Sequence, residues 1–237
     1  MAAGRYDQSA SHLDVCCNMH YKQRRSMLLR LLPFFVSSAV YFVLSLPGSS
    51  LQSTILKCLP TFSLAFFVTS QPKNGGVFKP YSRWIFHGLL FACVGDACLV
   101  WPEFFLPGMG AFAICHICYI TAFGLAPLQP LTFLVIEGLV AVSYVVILLP
   151  CLSGFYTWAV LFYSGLLGVM TWRGLSCSKR LASAGSLIFI VSDLLVGYDK
   201  FCTSHPLTHI LYMSTYYLAQ TLIAISVESP KFSLKEN

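Results

Sequence analysis

Apolar residues run along this chain in long blocks, each interrupted by a short cluster of glycine, proline, serine or charged residues. Eight blocks stand out, at residues 28–46, 51–70, 84–101, 106–124, 129–149, 153–172, 181–198 and 207–227. About 20 apolar residues in helical form cross a bilayer. The pattern therefore predicts an all-α integral membrane protein, a bundle of eight transmembrane helices. Residues 1–27 read as a flexible N-terminal arm, 28–227 as the membrane domain and 228–237 as a C-terminal tail. Since nearly the whole chain is taken up by spans, any chemistry has to be built from helix side chains and short loops.

Composition agrees. Only 10% of the residues are charged, 57% are hydrophobic and the mean hydropathy is +0.71, whereas a soluble domain carries about 25% charged residues. A net charge of +6 raises the question of nucleic acid, but the basic residues follow topology and form no patch, so no nucleic-acid partner is expected. Arg5, Lys22, Arg24, Arg25 and Arg30 precede or open the first span; Lys73, Lys79 and Arg83 fill the second loop; Arg173, Lys179 and Arg180 fill the sixth; Lys231 and Lys235 lie in the tail. Only Lys57 and Lys200 fall toward the other side. By the positive-inside rule both termini are cytosolic, and the first span serves as its own uncleaved insertion signal.

Two carboxylates interrupt the apolar blocks. Asp96 and Asp193 each stand thirteen residues after an arginine, Arg83 and Arg180. At about 1.5 Å per residue both lie about 20 Å from the basic side. Ionisable groups within a span are costly and mark a functional site by default, so the two are paired here as candidate catalytic residues. Val94-Gly95-Asp96 and Val191-Ser192-Asp193 echo each other in the same orientation, which admits a four-plus-four parallel repeat. Lys57 enters span two at nearly the same level as an internal counter-ion, although snorkelling toward the interface is its bland alternative. His116 and Tyr119 in span four, with Tyr212, Tyr216, Tyr217 and Gln220 in span eight, complete a candidate polar cavity as substrate-binding or supporting residues. Helix-to-helix hydrogen bonding or aromatic packing is the structural alternative for each of them. Glu137 in span five has no evident partner.

Other signals are weaker. Cys58, Cys93, Cys98, Cys115 and Cys118 fall inside spans, where a thiol behaves as a small hydrophobe. Cys115-His116-Ile117-Cys118 lacks the second Cys/His cluster of a zinc site, so no metal is expected. Cys16 and Cys17 are candidates for palmitate. Gly108 and Gly110 suit close helix packing. The chain contains no Gly-x-Ser-x-Gly nucleophile elbow, phosphate-binding glycine loop or His-Glu-x-x-His motif.

The stretches Gly95-Asp96-Ala97-Cys98-Leu99-Val100-Trp101-Pro102, Phe105-Leu106-Pro107-Gly108-Met109 and Ala122-Phe123-Gly124-Leu125-Ala126-Pro127-Leu128-Gln129-Pro130 resemble the YhhN-like lysoplasmalogenase family. Lys57-Cys58-Leu59-Pro60, Ser192-Asp193 and Thr215-Tyr216-Tyr217-Leu218-Ala219-Gln220 extend the likeness across residues 33–227, nearest to the vertebrate B-type branch. The resemblance implies a multi-pass enzyme of the endoplasmic reticulum membrane that hydrolyses the vinyl ether of lysoplasmalogens. The products would be a fatty aldehyde and glycerophosphocholine or glycerophosphoethanolamine. Its partners would be the lysophospholipid, water and membrane lipids, without a cofactor; head-group preference and a homodimer are left open.

That chemistry suits the residues. A vinyl ether is cleaved by protonation of its outer alkene carbon, giving an oxocarbenium ion that water captures, so it needs an acid and an anion. Two neighbouring carboxylates in a low-dielectric site divide those roles, and Lys57 favours the ionised form of whichever is nearer. The competing reading is a proton-coupled lipid transporter or scramblase, which also uses intramembrane carboxylates.

Overall fold

A computed structural model describes residues 25–44, 48–71 and 79–228. Cys16, Cys17 and most of the N-terminal arm and C-terminal tail lie outside the described residues. The elements are α1 (25–44), α2 (Leu51–Thr69), α3 (Pro80–Cys98), α4 (Phe105–Phe123), α5 (Pro130–Ser143), α6 (Phe155–Ser176), α7 (Arg180–Phe201) and α8 (Pro206–Ile225). A short 3₁₀ turn, Pro102–Phe104, leads into α4, and α5 runs on as a π turn, Tyr144–Leu148, and a 3₁₀ turn, Leu149–Cys151. Proline opens α3, α5 and α8, where its missing N–H costs nothing and its fixed φ suits a helix start. No strand occurs among the described residues.

Among the described residues six helices are long and apolar enough to cross a membrane. The exceptions are α3 and α8, and the reason is their polar content: α3 carries Arg83, His87 and Asp96, and α8 carries His209, Tyr212 and Gln220. Both pack closely on their neighbours, α3 on α4 and α2, α8 on α7 and α2. Polarity is turned inside out relative to a soluble protein. Leu134, Val142, Val146, Trp158 and Phe162 are exposed, while Lys57, Thr61, Asp96, His116, Arg173 and Gln220 are buried. A multi-pass membrane bundle is built this way, because lipid rewards an apolar exterior and every interior polar group needs a partner.

Close approach of helices depends on small residues. A Cβ on Gly88 would meet the Tyr119 ring and one on Gly95 would meet Phe112, so these two positions set the α3–α4 distance, Gly95 directly beside Asp96.

Alternate helix ends gather on the two faces of the bundle. At the basic end, Arg30 donates to the Ser70 carbonyl and Lys179 to that of Ser226. Buried Arg173 donates to the carbonyls of Gly124 and Pro127, and Trp172 to that of Gln129; together they fasten the α4–α5 loop. At the far end, Trp101 donates to Thr54, and a disulfide joins Cys151, just after α5, to Cys202, just after α7. Sequence alone does not reveal this disulfide, because the spacing of Cys151 and Cys202 matches no pattern that would pair them. The contacts of α5 are chiefly with α6, and α7 meets its continuation at the π turn. Nearer the basic end α5 and α7 therefore stand apart.

Candidate functional site

A cavity of about 510 Å³ lies among α2 to α8, with Phe105, Met109 and Phe112 of α4 in its wall. Its mouth, at the far end, is edged by Trp101, Pro102, Asp199, Lys200 and Ser204. Asp96 and Asp193 are both in its wall, with Lys57, Tyr163, Tyr212 and Tyr216. Beyond the carboxylates it continues as an apolar groove lined by Ile136, Leu139, Val140, Leu167, Leu187 and Ile190, where α5 and α7 separate.

The carboxylates sit in two hydrogen-bonded clusters. Asp96, almost wholly buried near the end of α3, accepts from Thr61 Oγ1 at 2.8 Å and from the Tyr216 hydroxyl at 2.7 Å, both on Oδ2. Thr61 follows Pro60 inside α2. The Tyr217 hydroxyl donates to the Lys57 carbonyl at 2.9 Å, supporting the backbone where the proline interrupts the helical ladder. Asp193 on α7 accepts from the Tyr163 hydroxyl at 2.6 Å, and His116 Nε2 stands 3.0 Å from that hydroxyl and 3.5 Å from Asp193 Oδ2. His116 Nδ1 is buried without a partner, which places the ring proton on Nε2, since a buried N–H without an acceptor is the costlier choice. Donors then run His116 to Tyr163 to Asp193. Among the described residues neither Oδ1 accepts a hydrogen bond, so each aspartate is held by one oxygen. Phe189 joins the clusters, stacking edge-on against His116 at 5.1 Å and Tyr216 at 5.7 Å.

Lys57 is 9% exposed and lines the cavity. Its ammonium makes no hydrogen bond or salt bridge among the described residues, although it lies within electrostatic range of Asp96.

Of the residues picked from sequence, Lys57, Asp96, Asp193, Tyr212 and Tyr216 line the cavity. His116 stands behind Tyr163, Tyr217 backs α2, and Tyr119 pairs with Gln220 at 2.5 Å as a separate buried bond. Tyr163 and Thr61 escaped sequence reading. Each is a lone hydroxyl in an apolar block, and its importance lies in a contact across helices.

A model of the YhhN family matches residues 52–227. Human lysoplasmalogenase TMEM86A is 43% identical over 84% of this chain and 89% of its own length. Pig lysoplasmalogenase TMEM86B is 44% identical over 86% and 88%, and human TMEM86B is 39% identical over 86% and 88%. No solved structure is significantly similar to the chain.

Proposed function

The chain belongs to the YhhN family, and on that footing we propose that it is a lysoplasmalogenase, hydrolysing the vinyl ether of alkenyl-glycerophosphocholine or -ethanolamine to a fatty aldehyde and the glycerophospho-base. The observation that carries this is the placement of Asp96 and Asp193 in one cavity that is polar at its mouth and apolar beyond them, together with relatives named lysoplasmalogenase. A single-chain amphiphile fits such a shape, with its tail in the α5–α7 groove gaining about 0.8 kcal/mol per buried CH₂.

In this reading Asp193, partly open to the cavity and reached by the His116–Tyr163 relay, gives its proton to the outer alkene carbon. Asp96, solvated by two hydroxyls, remains a carboxylate facing the developing oxocarbenium ion. Water adds to the cationic carbon and loses a proton to the carboxylate pair, and the hemiacetal collapses to aldehyde and the glycerol hydroxyl. Asp193 is thereby reprotonated, and no cofactor takes part. Orientation follows charge: the basic end is cytosolic with both termini. The Cys151–Cys202 disulfide at the opposite end supports placing that end in an oxidising compartment, as the lumen of the endoplasmic reticulum is.

The test is aldehyde release from a lysoplasmalogen by purified protein in detergent, beside Asp96→Asn and Asp193→Asn variants of equal melting temperature. Loss of at least about a hundredfold in each variant is expected for groups acting as acid and base. Unaltered lipid crossing a membrane without aldehyde release would instead identify a transporter.

A further inference from the structure

Lys57 gives and takes no proton in the steps above, yet it is a cation nine-tenths buried in the cavity wall, without a hydrogen bond or salt bridge among the described residues. A desolvated ammonium is stabilised only by an anion or by several acceptors brought to it. Asp96 already receives Thr61 and Tyr216. The other lysine on the cavity wall, Lys200, lies at the mouth with its ammonium over the Phe105 ring, 4.8 Å from the centroid.

Depth identifies the missing anion. Thr61, which donates to Asp96, and Lys57 are four residues apart on one face of α2. Since α2 runs from the far end to the basic end, the lysine stands about 6 Å nearer the mouth than the hydroxyl that marks the carboxylate. Roughly one glycerol unit bridges that interval. Resting on the lysoplasmalogenase reading, we infer that Lys57 is the phosphate anchor of the site. It holds the phosphodiester of a lysophospholipid one helical turn above the carboxylates, so that the vinyl ether falls between Asp96 and Asp193 and the tail enters the α5–α7 groove. The phosphodiester is common to choline and ethanolamine lipids, so the anchor selects for phosphate and leaves the base to the mouth.

The experiment compares two substrates, 1-O-alkenyl-glycerophosphocholine and 1-O-alkenylglycerol, on wild type, Lys57→Met, Lys57→Arg and Lys200→Met, each of matched melting temperature. The quantity read is the kcat/KM preference for the phospholipid. Lys57→Met is expected to compress it by about tenfold to a hundredfold, chiefly through KM, as loss of a charge-assisted hydrogen bond does. Lys57→Arg should retain most of the preference. A Lys57→Met that slows both substrates equally, or a preference lost only in Lys200→Met, overturns the assignment. If wild type is inert on both substrates, the catalytic reading fails by itself. Binding of the saturated 1-O-alkyl-glycerophosphocholine against 1-O-alkylglycerol, read by thermal shift on the same variants, then decides the anchor: an equal shift in wild type and Lys57→Met overturns it.

Discussion

Tyr163 and Tyr119 are both buried phenols, but one donates to Asp193 in the cavity wall and the other to Gln220 away from it. Tyr163→Phe removes the hydroxyl that holds and orients Asp193 and is expected to lower kcat about 10- to 100-fold with an altered pH profile and little change in melting temperature. Tyr119→Phe should do the reverse: it strands the buried Gln220 carbonyl, costing about 1–3 kcal/mol of stability in a denaturation measurement, with turnover largely kept. The carboxylates were legible in sequence because a charge in an apolar block is conspicuous. Tyr163 and Thr61 were not, since a hydroxyl in a span is tolerated without a role, and only the packing of α6 on α7 and of α2 on α3 gives these two their partners.

The helices themselves were legible to within a few residues, because spans in lipid need both length and apolarity. Span five, read as 129–149, ends its α-helical part at Ser143 and continues as π and 3₁₀ turns to Cys151, a change that sequence periodicity does not register. π segments recur at functional sites, and here Tyr144 and Leu148 of the turn line the cavity. The Tyr144 hydroxyl donates to the Thr157 carbonyl, and the disulfide follows immediately. Replacing Cys151 and Cys202 together by serine is expected to cost about 2–4 kcal/mol of stability. Reductant should lower the melting temperature of wild type and leave the double variant unmoved.

Across the whole molecule, sequence reading reached the inside-out distribution of polarity and the basic character of one end. It could not reach the shape of the cavity, which arises where α5 and α7 part, a matter of contacts between helices far apart in the chain. That shape has two ends: a mouth at Asp199, Lys200 and Ser204 beside the disulfide, and a slot between α5 and α7 edged by the exposed Leu139, Leu187 and Val191. One substrate would then yield products sorted by phase. In vesicles of known protein orientation, the glycerophospho-base should collect in the aqueous space on the disulfide side, and its appearance on the basic side would contradict the proposed route. The aldehyde, released into the bilayer, would diffuse in two dimensions past the same slot that admits fresh lipid. Turnover in a closed membrane would thus be throttled by whatever enzyme clears aldehyde from the lipid phase, while the water-soluble product escapes without feedback.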